Sequence, residues 1–590
     1  MTGVISINNL FEKTSISKRA IAALLDRILG VTEMNRLYQR NNMQGLSKED
    51  FADKLIDVLA LDITGLDELK SNIPKTGPVV IASNHPFGGI EGVILARAIG
   101  QVRPDLKVLA NKSLGIFHEL TDYFIFTNPL ASNDPKNAPS LRKCIQHIKS
   151  DQALLIFPAG KVAYLDPESN DIIEHPWNKI IGRLMNINDC QFVPVFVNGR
   201  NSPRFYRIER IIYKMRMLML SRELLNKNGA SILINSGFPL ENKHIKAQGI
   251  NEISSMARAL SYAQEGSWRY SWPPDTVTQY KPLAKPVPTQ ELGDEIRSLP
   301  AEQFLISANG FDVYYAYQHQ APKTVHEIAR LRELVFREHN EGSGESIDTD
   351  KFDATYIHLF AVKTDSMKII GAYRMGLTDK LIEEQGVDGL YLNKMFKFGE
   401  QFINQKQAAM ELGRSFLIPE FQGSYQGLLM LWKGIGTFVC RFPEYANVYG
   451  TVSISKLYDP RSVNLIQHIM INQNAASQAE ARDSFDFPMH SEIARIFEQK
   501  SDAHQDNAQG MAFLTSALKT LENDGKDIPV LAKQYWKLGA QFHCLGIDTS
   551  FNHTPGLLLS VDLRQSPKKL LKLYLGDGYQ AFLDASKNTP

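Results

Sequence analysis

A proline-rich stretch divides the 590-residue chain near its middle. It reads SWRYSWPPDTVTQYKPLAKPVPTQELGDEIRSLP, with prolines at positions 273, 274, 282, 286, 288 and 300. Proline removes a backbone donor and is excluded from helix interiors, so the stretch is predicted to be an extended linker. A chain of this length also exceeds one ordinary domain. We therefore predict a first domain over residues 1–270, a linker over 271–300 and a second domain over 301–590.

Composition excludes several classes of protein. Lys and Arg number 65 and Asp and Glu 64, so the net charge near +1 argues against a nucleic-acid partner. No apolar run reaches the roughly 18 residues of a transmembrane helix, and charges interrupt the N-terminus where a signal peptide would be apolar. The four cysteines lie far apart, with no CxxC pair or metal-ligand spacing. We expect buried thiols in a reducing cytoplasm and no metal site.

Before the linker, apolar runs alternate with helical patterns. The runs read PVVIAS, DLKVLA, ALLIFPA, CQFVPVFV and ASILINSG. Alternating strands and helices predict an α/β layer fold with a mostly parallel sheet.

After the linker, strand patterns follow one another more closely. They read FDVYYAYQ, IHLFAV, KIIGAYRM, AAMELGRSFLI and NVYGTVSIS. The helical patterns KTVHEIARLRELVFREHN and GLLMLWKGIGTFVCRF lie among them. This order predicts an α+β second domain with a mostly antiparallel centre.

The sequence SNHPFGGIEG lies at a predicted strand-to-helix turn in the first domain. Asn84 and the proline after His85 oppose helix continuation, while Gly88 and Gly89 permit close backbone approach. Glu91 follows six residues after His85. A neutral imidazole with a carboxylate on its other nitrogen is a general base of fixed tautomer. The glycine amides or the helix N-terminus are candidates for binding an anion; the alternative is a surface loop whose histidine caps the helix.

Two later segments complete an ordered set of motifs. FPAGK, residues 157–161, ends the strand ALLI, and VPVFVNG, residues 193–199, is a further strand. With NHPFGGIEG they resemble the His-x4-Asp, FPEGT and V-P-V blocks of the glycerolipid (lysophosphatidic-acid) acyltransferase family, over roughly residues 78–202. The resemblance implies that His85 deprotonates an acceptor hydroxyl, which attacks an acyl thioester, while Glu91 orients the imidazole. It also implies substrate binding by residues of the motifs and by one lysine after the strand DLKVLA: Asn84, Gly88, Gly89, Lys112, Phe157, Pro158, Gly160 and Lys161.

The sequence departs from this family in three places. The carboxylate comes one residue later than usual and is Glu rather than Asp. Ala159 replaces the usual Glu of FPEGT. Thr127 and Asn128 stand where the family commonly has a phosphate-binding Arg. A hydroxyl or amide is a poor substitute for a bidentate guanidinium. We therefore expect an acceptor without a glycerol phosphate.

The segment PRFYRIERIIYKMRMLMLSREL, residues 203–224, places basic residues at steps of three and four among apolar ones. This pattern predicts an amphipathic helix on an anionic bilayer. A helix that covers the sheet and has a solvated outer face is an equally good interpretation.

Charged residues recur in a set order in the second domain. They lie in the segments LRELVF, DTDKFD, GAYRMG and ELGRS. The spacing resembles that of acyl-homoserine-lactone synthases, which are GNAT-like and take acyl chains from acyl carrier protein. The segments ELGRSFLIPEF, LLMLWKGIGTF, YGTVSIS and IPVLAKQYWKLGAQF resemble more closely the N-acyltransferases of ornithine-lipid synthesis. The resemblance implies an amino-acid pocket shaped by Arg332, Phe336, Asp350, Asp353, Arg374 and Arg414.

GNAT folds separate two central strands, and a pantetheine arm lies in the gap. AAMELGRSFLI and NVYGTVSIS are predicted to be those strands, with amides of FQGSYQG facing the phosphate of phosphopantetheine. Glu411 is the candidate acceptor of the amine proton, directly or through water. His358, in the strand IHLFAV, is predicted to be a core residue.

The two halves together resemble bifunctional bacterial synthases of ornithine lipids and of the similar glycine lipids. The expected activity is N-acylation of an amino acid by 3-hydroxyacyl-carrier protein, followed by O-acylation of the lyso-aminolipid. No cofactor is expected beyond acyl carrier protein or another acyl thioester as donor. We expect a peripheral protein on the cytoplasmic face of the inner membrane. Ornithine, glycine and lysine remain open as head groups. The alternatives are a phospholipid-remodelling acyltransferase and a haemolysin-like, non-catalytic membrane protein.

Overall fold

The structure is a computed structural model. It describes residues 26–587 apart from 28, 112–113, 115–116, 128–136, 169, 212–215, 245–248, 267–271, 273, 278, 400–401, 403–406, 424, 472–478, 486–492 and 495–506.

The strands, in chain order, are β1 Asp62–Thr64, β2 Val79–Ser83, β3 Lys107–Asn111, β4 Phe124–Thr127, β5 Ala153–Ile156, β6 Tyr164–Leu165, β7 Ile172–Ile173, β8 Gln191–Val197, β9 Ser231–Ser236, β10 Leu240–Glu241, β11 Phe304–Ala308, β12 Phe311–Tyr317, β13 Ile357–Lys363, β14 Ile369–Leu377, β15 Phe396–Phe398, β16 Met410–Leu417, β17 Asn447–Ser453, β18 Ala479–Ala481, β19 Gln541–Asp548 and β20 Thr554–Asp562.

The α-helices, in chain order, are α1 Val31–Arg40, α2 Lys48–Val58, α3 Leu66–Asn72, α4 Ile90–Val102, α5 Ala138–Lys149, α6 Ile180–Met185, α7 Pro203–Ile211, α8 Arg216–Leu225, α9 Ile250–Tyr262, α10 Thr289–Arg297, α11 Pro322–Glu338, α12 Thr378–Gln385, α13 Tyr425–Arg441, α14 Pro460–Met470, α15 Asn507–Leu521, α16 Val530–Lys537, α17 Lys568–Leu575 and α18 Tyr579–Lys587.

The chain divides into two compact units. The first unit comprises Met1–Arg269 and Met489–Lys526, and the second comprises Tyr270–Pro488 and Asp527–Pro590. The sequence prediction assigned residues 489–526 to the second domain. In the structure, α15 of that segment packs on α9, and Phe238 donates its backbone N–H to Thr520 O at 3.0 Å.

The first unit is built on a mostly parallel sheet in the order β1-β9-β8-β2-β5-β3-β4, with β10 beside β8. Among the described strands of this sheet, only the pairs that β8 makes with β9 and with β10 are antiparallel. All five residues of β2 are buried, as expected for a central strand covered on both faces. The carboxyl end of such a strand is the usual place for a site in an α/β sheet, and β2 leads directly into the His85 loop.

The second unit holds an eight-stranded sheet in the order β11-β12-β13-β14-β16-β17-β20-β19. Its neighbours are antiparallel except for β16 and β17, which are parallel. The predicted combination of an α/β first half and an α+β second half is therefore confirmed.

The predicted linker is only partly irregular. Residues 289–297 form α10, which follows directly after Pro288. Leu292 and Ile296 of α10 are buried in a core shared with Ile328 and Leu331 of α11. Burial of an apolar helix face stabilises this segment, so residues 289–297 are part of the second unit and not a free linker.

The segment predicted as one amphipathic helix over residues 203–224 contains two helices, α7 and α8, and residues 212–215 between them lie outside the described residues. Phe205 and Tyr206 of α7 are buried in a cluster with Val31 and Met34, while Ile208 is exposed. In the described part of the chain, no helix combines the length and apolar character needed to cross a membrane.

Candidate active sites

The His85 loop connects β2 to α4 by a tight path that requires glycine. Gly88 has a φ of +94°, a value that side-chain-bearing residues rarely adopt. A Cβ at Gly88 would also lie 2.6 Å from Val162 Cγ2 and 2.7 Å from Leu220 Cδ2. Gly88 therefore permits both the positive φ and the close approach of the loop to the side chains of Val162 and Leu220.

His85 and Glu91 face each other. The Nδ1 atom of His85 lies 2.9 Å from Glu91 Oε1, and the glutamate side chain is fully buried. Burial alone would raise the pKa of Glu91, but the charge and hydrogen bond of His85 and the N–H groups of Gly88 and Gly89 lower it from 4.5 to about 2. An ionised carboxylate beside Nδ1 favours the tautomer that carries the proton on Nδ1 and leaves the lone pair on Nε2. The geometry is that of a general base with a fixed tautomer.

The backbone N–H groups of this loop are already used. Phe87 and Gly88 donate to Glu91 Oε1 at 2.9 and 2.8 Å, and Gly89 donates to Oε2 at 2.9 Å. Glycine amides were predicted to bind a substrate anion or oxyanion. That prediction is wrong for Gly88 and Gly89, because their N–H groups bind the buried carboxylate of Glu91 instead.

Asn84 is likewise a structural residue. Its side-chain amide donates to Val197 O at 2.9 Å, and its Oδ1 accepts the Val197 N–H at 2.7 Å. Both ends of the amide therefore anchor the loop to β8. The prediction that Asn84 binds substrate is corrected on this ground.

The FPAGK segment lies beside the histidine. The Phe157 ring packs on the His85 ring, with centroids 4.7 Å apart and planes inclined by 35°. Gly160, with a φ of +65°, closes a turn in which its N–H binds Phe157 O at 2.9 Å. Pro158 accepts the Asn178 N–H at 2.9 Å through its carbonyl, so Pro158 and Gly160 shape the turn.

The remaining residues singled out in the first unit are two lysines and the Thr127–Asn128 pair. Lys161 is half-buried. Lys112 and Asn128 lie outside the described residues. Thr127, at the end of β4, donates its hydroxyl to Asn137 Oδ1 at 3.1 Å.

A second buried carboxylate, Glu174, was missed by sequence reasoning. Its Oε1 accepts the backbone N–H of His85 at 2.8 Å, and its Oε2 accepts Trp177 Nε1–H at 2.8 Å and the Tyr262 hydroxyl at 3.2 Å. Burial raises the pKa of Glu174, opposed by the charge of Arg258. The nearby EHPW sequence is the only local signal, and Glu174 is 89 residues from His85 in the chain. Glu174 thus holds the histidine backbone while Glu91 holds its ring.

The second unit contains the predicted charged network. Arg332 binds Asp353 at 2.9 Å and Asp348 at 3.1 Å, and Arg374 binds Asp350 at 2.7 Å and Asp353 at 3.2 Å. Burial would raise the pKa of Asp353, but Arg332 and Arg374 hold it well below its usual range. Asp348 is a member that sequence reasoning missed. Paired charges of this density are stable in a buried site because each has a partner.

Arg414 extends the network along β16. It has a φ of +49° and lies where the register between β14 and β16 shifts. Its guanidinium lies 3.4 Å from Asp348, 3.9 Å from Asp350 and 4.0 Å from Asp548. The irregular backbone therefore directs a cation towards three carboxylates.

Glu411 is enclosed by tyrosines. Its side chain is buried, and its Oε1 accepts the Tyr356 hydroxyl at 3.1 Å. Tyr449 is its register partner on β17. Burial raises the pKa of Glu411 to about 7 despite the opposing effects of Tyr356 and Arg374.

Phe336 is a core residue. It packs edge-to-face on Phe551 with centroids 4.9 Å apart, and the Phe551 ring in turn lies under Arg414 at 4.4 Å. Phe336 therefore supports the aromatic ring that lies under Arg414, and its role in the pocket stays a prediction. His358 is fully buried, as predicted, with Nε2 3.0 Å from Asp353 O.

The strands β16 and β17 separate as predicted. They pair in parallel between Met410–Leu412 and Val448–Gly450, while the described strands continue to Leu417 and Ser453 without further pairing to each other. Beyond these pairs the sheet has a gap in which an extended arm can bind by strand-like hydrogen bonds. The segment FQGSYQG, whose amides are predicted to face a phosphate, follows β16. In this segment Gly423 has a φ of +75°, and Ser424 lies outside the described residues.

Comparison with known families finds one match in each unit. A family model described as "Acyltransferase" matches residues 55–267, and a model described as "Acetyltransferase (GNAT) domain" matches residues 331–433. The protein is an acyltransferase with an N-terminal acyltransferase domain and a C-terminal GNAT domain.

Two curated relatives carry different activities in their names. A "Glycine N(alpha)-acyltransferase" of Bacteroides thetaiotaomicron is 26% identical over 303 residues, which cover 48% of this chain and 85% of the relative. A "Lyso-glycine lipid O-acyltransferase" of Phocaeicola vulgatus is 26% identical over 239 residues, which cover 39% of this chain and 81% of the relative. The acyltransferase thus has both N-acyl and O-acyl homologues.

Among solved structures, the chain is similar to the AHL synthase LasI. The match has 16% identity, covers 24% of this chain and 72% of that chain, and has a TM-score of 0.19. A TM-score this low supports no argument about the fold.

Proposed function

We propose that the protein makes a di-acylated aminolipid in two steps, one in each unit. The second unit joins a 3-hydroxyacyl chain to the α-amino group of an amino acid. The first unit then esterifies the 3-hydroxyl group of that lyso-lipid. The observation that carries the proposal is the presence of two separate sites in one chain, one with a histidine base and one with a charged pocket beside a strand gap.

In the ester-forming step, His85 Nε2 takes the proton of the lipid hydroxyl as the oxygen attacks the acyl thioester. The new C–O bond forms, the C–S bond breaks, and the imidazolium returns its proton to the departing thiolate. Glu91 stabilises the imidazolium because its carboxylate is ionised beside Nδ1. Phe157 packs on the ring and limits its movement.

The acceptor of the first unit is proposed to lack a phosphate. Ala159 replaces a carboxylate of the family motif, and Thr127 stands where a phosphate-binding Arg is common. A lyso-aminolipid meets this requirement, whereas lysophosphatidate does not. The proposal therefore predicts little activity on lysophosphatidate.

Glycine is the first amino acid to test, because the two relatives are named for glycine and a lyso-glycine lipid. Ornithine and lysine are the other candidates. The acyl donor for the N-acyl step is proposed to be acyl carrier protein, with the pantetheine arm between β16 and β17. We further propose that the protein binds the cytoplasmic surface of the membrane, with α7 and α8 as candidate contacts.

The test is a reconstitution with the purified full-length chain. The protein is incubated with 3-hydroxyacyl-carrier protein and glycine, ornithine or lysine, then with a second acyl thioester, and the lipids are identified by mass spectrometry. A mono-acylated and then a di-acylated aminolipid is the expected result. Acyl transfer to lysophosphatidate without an aminolipid product would instead support phospholipid remodelling. No acyl transfer in either assay would support a non-catalytic membrane protein.

A further inference from the structure

The second unit contains another buried carboxyl group, which the preceding mechanism does not use. Glu341 follows α11, is 5% exposed, and donates its backbone N–H to Phe336 O at 2.9 Å. Its Oε2 accepts the hydroxyl of Ser453 at 3.0 Å. Burial raises its pKa to about 7, opposed by the Ser453 hydrogen bond and the charge of Arg414. A carboxyl group of this kind exchanges protons at neutral pH.

Ser453 connects this carboxyl group to the strand gap. It is the last residue of β17, three positions after Gly450, where pairing with β16 ends. Ser453 is exposed, whereas Glu341 is buried. A hydroxyl group both donates and accepts hydrogen bonds, so Ser453 can pass a proton between the open part of the sheet and Glu341.

Glu411 occupies a different position on the same pair of strands. It lies opposite Tyr449, within the part where β16 and β17 are still hydrogen-bonded to each other. Tyr356 donates to its Oε1, and the surrounding core includes Leu392 and Phe396. The gap begins only after Leu412, so Glu341 with Ser453 is better placed than Glu411 for a substrate in the gap.

We propose that Glu341, acting through the Ser453 hydroxyl, receives the proton of the acceptor amine in the N-acyl step. The inference rests on the proposed function. The ammonium group loses one proton through Ser453 to the Glu341 carboxylate, and the neutral amine attacks the thioester carbonyl. The C–N bond forms, the C–S bond breaks, and the second nitrogen proton goes to the departing thiolate. Glu341 then releases its proton to water.

The neighbouring charges favour this role. Arg414, on β16, is the cation that interacts with Glu341, and it also lies near Asp348, Asp350 and Asp548. Its attraction keeps part of the Glu341 population ionised near neutral pH although burial favours the neutral acid. Ser453, on β17, contributes the hydrogen bond.

The experiment compares N-acylation by four variants between pH 5.5 and 9. Glu341→Gln keeps the side-chain shape but cannot accept a proton, and Ser453→Ala removes the connecting hydroxyl. Glu411→Gln tests the rival carboxyl group. Glu338→Gln is the matched control, because Glu338 is an exposed glutamate at the end of α11. O-acylation of supplied lyso-lipid by the first unit verifies that each preparation is intact.

We expect Glu341→Gln to lower kcat/KM for N-acylation by about 10²–10⁴-fold at pH 7 and to abolish the decline of rate on the acid side. Ser453→Ala should lower the rate roughly tenfold, the effect of one hydrogen bond. Glu411→Gln should keep the acid-side decline, and Glu338→Gln should match the wild type.

Three results would overturn the inference. The first is a rate of N-acylation by Glu341→Gln within about threefold of wild type. The second is a loss of the acid-side decline of rate in Glu411→Gln rather than in Glu341→Gln. The third is full N-acylation activity of Ser453→Ala. If Glu341→Gln does not fold, the activity of Ser453→Ala alone tests the inference. A wild-type protein that forms no N-acyl product would overturn the proposed function, and the inference with it.

Discussion

Replacing Glu91 by glutamine tests whether the buried carboxylate makes His85 a base. The pKa of Glu91 falls from 4.5 to about 2 on folding, and each pKa unit corresponds to 1.36 kcal/mol. The folded loop therefore favours the ionised form by about 3 kcal/mol. Glutamine has the same shape but no charge, and its NH₂ group must face at least one of the donors at Phe87, Gly88, Gly89 or His85 Nδ1. A donor facing a donor loses the hydrogen bond and disfavours the required tautomer.

We expect Glu91→Gln to lower kcat/KM for O-acylation about 10²-fold, because removing the charge beside Nδ1 removes both the tautomer preference and the stabilisation of the imidazolium on which general base catalysis depends. The assay measures ester formation on a supplied lyso-aminolipid. N-acylation by the same preparation should be unchanged, and Glu68→Gln, on the exposed face of α3, is the control. An O-acylation rate within threefold of wild type would refute the role assigned to Glu91.

The same substitution has a pH-dependent effect on stability. Because the folded-state pKa of Glu91 is depressed, its stabilisation is fully present above pH 4.5 and is lost as the pH falls towards 2. The difference in unfolding free energy between wild type and Glu91→Gln should therefore shrink over that range. A difference that stays constant from pH 6 to pH 3 would contradict the assignment.

Three further predictions concern other parts of the two sites. Glu174→Gln should lower kcat for O-acylation roughly tenfold, because the amide keeps only one acceptor oxygen and its NH₂ group must then face the donor of either His85 N–H or Trp177 Nε1–H. KM and N-acylation should be unchanged and Glu174→Asp should partly restore kcat; an unchanged kcat would exclude a positioning role. Gly88→Ala should destabilise the first unit by about 1–3 kcal/mol in denaturant unfolding because of its positive φ and the contact with Val162; unaltered stability would contradict the loop geometry. Asp353→Asn should lower the unfolding free energy of the second unit by about 3–5 kcal/mol, because Arg332 and Arg374 lose a buried partner. Asp365→Asn, on the surface, is the control. Equal unfolding midpoints for the two variants would show that the ion pairs of Asp353 do not stabilise the second unit.

Local sequence patterns predicted most of the architecture. The strands β2, β3, β5, β8 and β9 follow apolar runs, and α11 and α13 follow helical periodicity. The pairing of His85 with Glu91 was also predictable, because the two residues are six positions apart across one short strand-to-helix turn. The separation of β16 and β17 followed from the resemblance to GNAT folds.

What the sequence did not predict depends on contacts between distant residues. Glu174 reaches the His85 backbone across 89 residues, and Glu341 reaches Ser453 across 112 residues. Neither contact leaves a local motif. The direction of the Gly88 and Gly89 amides was also hidden, because only the folded loop turns them towards Glu91. Similarly, α15 lies within the predicted second domain in sequence, but its contacts with α9 place it in the first unit.

The most direct test of the account measures the lipids of a heterologous host that expresses the wild-type chain or His85→Ala. If two sites act in turn on one lipid, His85→Ala should accumulate the mono-acylated aminolipid and contain almost none of the di-acylated product. A normal amount of the di-acylated aminolipid in the His85→Ala strain would contradict the central claim.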